Sequence, residues 1–68
     1  MESTFKIHAL RDQDGVDRVM FELQDLPCIS QVQVSLETGL AWVEHTPMIG
    51  TAELMHAIAE AGFESEPL

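Results

Sequence analysis

Apolar and polar positions alternate at the start of the chain, with Phe5, Ile7 and Ala9 set against Thr4, Lys6 and His8. This is the two-residue period of a strand with one buried face. Val16, Val19, Met20 and Leu23 then recur at i, i+3, i+4 and i+7, the stripe of a helix, and Val32, Val34 and Leu36 alternate again. The second half repeats that order. Ala41 and Val43 alternate, Leu54, Ala57, Ile58 and Ala61 form a second helical stripe, and Phe63 opens a short last run. A βαβ unit written twice predicts two helices packed on one face of a four-stranded antiparallel sheet, an α+β domain.

Turn and cap residues set the expected boundaries. A first strand over Thr4 to Leu10, with Ala9 facing the helices, leads into the polar loop Arg11-Asp12-Gln13-Asp14-Gly15, where either aspartate can cap the next helix. That helix is expected over 14–25, stopped by Pro27, with Phe21 off the stripe and half-exposed. A strand from Ile29 to Leu36, a tight turn at Glu37-Thr38-Gly39 and a strand from Leu40 to His45 follow. Thr51 reads as the N-cap of a helix through Ala61, with Glu53 in its first turn and Gly62 as its left-handed cap. The last strand is expected over Phe63 to Glu66, ended by Pro67. Phe5, Ile7, Val19, Leu23, Val34, Val43, Leu54 and Ile58 should be buried.

At 68 residues the chain is expected to be a single domain, residues 1–68, that buries about 60% of its unfolded surface. Twelve acidic residues against three basic ones give a formal charge of −9, which repels phosphate backbones and anionic lipid headgroups. Nucleic acid is therefore not expected as a partner; the acids leave a basic protein surface or a metal cation open, or else serve to keep a small protein soluble. The absence of an apolar run of about 18 residues excludes membrane insertion by this segment, and the Met-Glu-Ser-Thr start lacks the basic and apolar regions of a signal peptide, so the expected location is cytoplasmic. One cysteine, Cys28, excludes a disulfide framework and a zinc site built from several thiolates.

The order of these pieces resembles the heavy-metal-associated domain, the ferredoxin-like βαββαβ module of copper chaperones and of the N-terminal regions of metal-transporting P-type ATPases. Val16, Val19 and Leu23 followed by Leu26-Pro27-Cys28-Ile29 are similar to the family's first helix and its Leu-Pro-Gly-Val turn. Val32, Val34 and Leu36 with Gly39, Ala41 and Val43 resemble its hairpin, and His45-Thr46-Pro47 its Tyr-Asp-Pro. Leu54 and Ala57-Ile58, with Glu60-Ala61-Gly62-Phe63, resemble its closing helix. The departure is in the functional loop. In this register the family's Gly-Met-x-Cys-x-x-Cys falls on residues 9–15, with Asp12 and Gly15 at the two cysteine positions. Copper(I) is soft and favours thiolate or thioether ligands, so the family's copper chemistry does not carry over to these positions.

Three constellations remain. Asp12 and Asp14 offer two carboxylates to a hard or borderline cation at the start of the first helix, where acids also serve as caps and complement the helix dipole. Cys28, His45 and Met48 lie on two loops that the topology brings to the opposite end of the sheet; they suit copper or zinc, or else fill a turn and the core. Trp42, Leu40 and His8 alternate onto the sheet face without helices, a candidate partner surface. Met55 and His56 point about 100° apart and cannot ligate together. No nucleophile stands with a base and no carboxylate pair converges, so the chain is not expected to be an enzyme. Two functions follow: a domain in metal trafficking or transporter regulation with an altered, weak, non-thiolate site for Zn, Co, Ni or Cu, or a docking module that has lost its metal. The expected partner is a metal-transporting ATPase or another basic protein surface.

Overall fold

The computed structural model describes all 68 residues and contains the six predicted elements in the predicted order. They are β1 (Glu2–Ile7), α1 (Gln13–Gln24), β2 (Ile29–Ser35), β3 (Leu40–His45), α2 (Thr51–Glu60) and β4 (Ser65–Pro67). The strands form one antiparallel sheet in the order β2-β3-β1-β4, the ferredoxin-like arrangement. Both helices lie on one face of it. Phe5, Ile7, Val32, Ala41 and Val43 from the sheet meet Val19 and Leu23 of α1 and Leu54, Ala57 and Ile58 of α2 in one core. Burial of such stripes is the main source of stability for helices of ten to twelve residues, which are marginal in isolation.

Several boundaries differ from the sequence expectations. Strand β1 starts and ends earlier than expected, because Glu2 and Ser3 find partners in Glu44 and Val43 while the chain leaves the sheet after Ile7. Ala9, expected to face the helices, is exposed in that turn with φ +63°. Leu36, expected as the last residue of β2, lies in the turn and is 38% exposed, since the hairpin loop begins at that residue. Val34 is half-buried because β2 is an edge strand with no neighbour beyond it.

At the second helix Gly50, not Thr51, is the N-cap, and it makes no side-chain cap bond. Phe63 does not open β4. Its N–H donates to the Ile58 carbonyl, 3.2 Å, closing the end of α2 after Gly62 at φ +96°. The strand then starts at Ser65, and Pro67 pairs with Phe5 inside it rather than ending it. An outermost strand tolerates proline, whose missing N–H is not needed by a further neighbour.

Candidate metal loop and docking surfaces

The loop from His8 to Asp12 joins β1 to α1 at the end of the sheet where α2 finishes. Asp12 is the N-cap of α1: its backbone is extended and its Oδ1 accepts from the Gly15 N–H at 2.9 Å. Asp14 sits in the first helical turn, exposed, near the partly positive helix end. Arg11 and Arg18 line the same hollow as these two carboxylates, so a cation arriving there meets two fixed positive charges.

Gly15 is buried. A Cβ built on it would lie 2.9 Å from Cζ of Phe63 and 3.0 Å from Cδ1 of Leu10. The Phe63 and Leu10 side chains therefore occupy the space that a side chain at position 15 would need. The residues present do not fit a copper(I) ion: one ligand position is a helix cap, the other has no side chain, and no thiolate lies in the loop.

Two residues carry positive φ without being glycine, Ala9 at +63° and Cys28 at +70°. These are the two positions where the family pattern quoted above has glycine and this chain does not. The backbone thus keeps glycine-type conformations at both, in agreement with the register that puts Asp12 and Gly15 at the cysteine positions.

At the opposite end, Cys28 and His45 are brought together as the topology requires, the Thr46 N–H donating to the Cys28 carbonyl at 3.0 Å. His45 is buried at 4% exposure, and both ring nitrogens are engaged. Nδ1 lies 2.9 Å from the Thr46 carbonyl oxygen, which can only accept, so Nδ1 carries a proton; Nε2 lies 2.9 Å from Ser3 Oγ, and accepts from it in the neutral ring. Ligation by this ring would require breaking one of those bonds. Met48 is 84% exposed; its neighbour Ile49 is the residue that packs into the core. Nowhere do three or more His, Cys, Asp or Glu side chains converge as a metal-binding group.

On the open sheet face, Trp42 and Leu40 are both half-buried, and the Trp42 indole N–H donates to Glu2 Oε1 at 2.9 Å. With Thr4, Gln33 and Val34 they line a shallow groove. His8 is not beside them. It lies past the end of β1, its Nε2 3.5 Å from Glu66 Oε1 on β4.

The most exposed aromatic residue is instead Phe21, at 69% on the outer face of α1. It lines a hollow with Asp14, Asp17, Glu22 and Glu60, and with Arg18 as the one base. Sequence reasoning placed Phe21 off the buried stripe but did not treat it as functional. The available signal was a large apolar side chain standing among acids on a polar helix face.

No protein-family model and no curated protein sequence matches the chain. Solved structures do. A copper-binding domain from HMA7, a P-type ATPase, superposes with a TM-score of 0.94 at 20% identity, over 98% of this chain and 92% of that one. MerP from Ralstonia metallidurans CH34 gives 0.92 at 22%, over 98% and 94%. The Atx1–Cu(I)–Ccc2a complex contributes a chain at 0.87 and 19%, over 98% and 93%. All three share this shape across nearly their full length. This chain has the fold of the heavy-metal-associated domains.

Proposed function

We propose that the chain is a docking domain within a metal-handling system, held by a basic surface of a metal transporter or of another domain of this fold, and not a copper(I) carrier. The observation that carries this reading is the closed state of the loop. Asp12 caps Gly15, and Phe63 and Leu10 fill the space over it. Fold and loop backbone are retained while the ligand chemistry is not, and the outer face of α1 presents Phe21 inside a ring of carboxylates. A desolvated aromatic anchor with a charged rim is a common interface design. Assembly between two such domains has a parallel in the Atx1–Cu(I)–Ccc2a complex, where Cu(I) accompanies the pair. Here carboxylates would supply the attraction to the partner.

An amide-shift titration with metal alone tests the reading. Zn(II), Co(II), Ni(II) or Cu(I) should leave residues 10 to 15 unshifted at one equivalent. Saturable shifts confined to that loop, lost in Asp12→Asn with Asp14→Asn, would establish a non-thiolate site there and return the chain to the metal carriers.

A further inference from the structure

We infer that the free edge of β2 pairs with β2 of a second copy of this chain, in antiparallel register about Gln33, joining two sheets into one of eight strands. The order β2-β3-β1-β4 leaves two outer strands. Strand β4 is protected in the usual ways: it is three residues long and contains Glu66 and Pro67. Strand β2 is seven residues long with neither a charge nor a proline. The uncharged run containing it extends from Leu26 to Leu36, in a chain with twelve acids. Its one irregularity is a bulge between Ile29 and Gln31, which leaves Gln31 to Ser35 regular. Alternate N–H and C=O groups of that stretch point away from β3 with no strand to receive them.

The regular five residues pair with themselves. About Gln33, Val32 faces the second copy's Val34 on the helix side, and Gln31 faces Ser35 on the open side, with Gln33 opposite Gln33. Valine pairs of this kind contribute to strand pairing, and no like charges come opposite one another. The neighbouring apolar surface is only half-covered. Met20, Leu26, Cys28, Ile29 and Val34 pack against the core while remaining partly exposed, and all five lie on β2, just before it or on α1 above. On α1, Gln13, Met20 and Gln24 fall within about 40° of one another on the flank opposite Arg18 and Glu22, turned toward β2, with Asp17 at its outer border accepting from Gln13 Nε2 at 3.0 Å.

Charge selects the occupant. A basic partner is drawn to the carboxylates of the helices, and this edge offers it nothing. A second copy at −9 can approach where acids are absent, and β2, within the uncharged run from Leu26 to Leu36, is such a place.

Sedimentation equilibrium between about 10 µM and 1 mM, at low and high salt, tests this. The wild type should associate reversibly to a dimer, more tightly as salt rises, because screening relieves the repulsion between two acidic chains. Docking to a basic partner has the opposite salt dependence, so either reading can fail alone. Gln33→Lys puts two ammonium groups face to face and should weaken self-association by about tenfold or more. Ala59→Ser, an exposed position on α2 near the opposite sheet edge at β4, should leave it within about threefold. Hydrogen exchange at the outward amides of β2 should slow with concentration in the wild type and not in Gln33→Lys. A wild type that stays monomeric to about 1 mM, or a Gln33→Lys chain that is folded and dimerises like the wild type, would overturn the proposal. Protection of β2 by an added extended peptide and never by a second copy would overturn it as well.

Discussion

Ala9 and Cys28 hold left-handed backbone that costs a residue with a Cβ about 1–2 kcal/mol. Replacing either by glycine should therefore raise stability by about 1 kcal/mol, part of the relief being offset by glycine's greater freedom in the unfolded chain. Denaturant unfolding of Ala9→Gly and Cys28→Gly measures this, and a loss of stability in both would contradict the backbone geometry. Asp12→Ala should cost about 1 kcal/mol as a lost cap, and Asp12→Asn much less, since asparagine caps equally well. Equal losses in the two would mean that the carboxylate charge does more than cap. At this scale the sequence was informative where a residue's role is local. The positive φ of Gly39 and the inward turn of His45 could be read from spacing, which also narrows the cap of α1 to Asp12 or Asp14, of which Asp12 makes the bond. Phe63 could not, because whether it pairs in a strand or closes over Gly15 depends on contacts between ends of the chain that no period encodes.

The elements themselves were legible because each has a clear apolar stripe. The six appear in order, with β3 over Leu40 to His45 as expected and α1 displaced by one residue. Strand ends were less legible, since register depends on which neighbour supplies hydrogen bonds; Glu2 and Ser3 join β1 only because β3 extends past them. Leu23, fully buried between α1 and the sheet, should lose about 2–5 kcal/mol on change to Ala, a two-state unfolding measurement. The α1 start is also where the register can be tested. Asp12→Cys with Gly15→Cys should keep the fold while pushing the ring tip of Phe63 outward, because only the far ends of two side chains obstruct the new Cβ. A Phe63 resonance that does not move in that variant would place position 15 elsewhere.

For the whole molecule the governing quantity is charge. Asp14, Asp17, Glu22 and Glu60 surround Phe21 while the sheet edge at β2 carries none, so the surface is divided into an acidic helix layer and a neutral strand. Association with a basic partner through the helix layer should weaken steeply from low to physiological salt, as exposed charges are screened over about 8–10 Å. Phe21→Ala should speed dissociation while leaving the salt dependence intact, since an apolar anchor acts after encounter. Trp42→Ala should have less effect, its indole being half-buried and bonded to Glu2. Kinetic binding measurements at several salt concentrations separate these contributions. A rate of dissociation set by Trp42 and not by Phe21 would move the docking surface to the open sheet face.

The central claim, that the fold has been kept and the copper site has not, is met most directly by a competition titration against a copper(I) chelator. The wild type should yield its copper to the chelator, and Asp12→Cys with Gly15→Cys should retain it, because two thiolates then stand where the loop holds a cap and a glycine. Stoichiometric retention of copper(I) by the wild type that persists in Cys28→Ser would contradict the account.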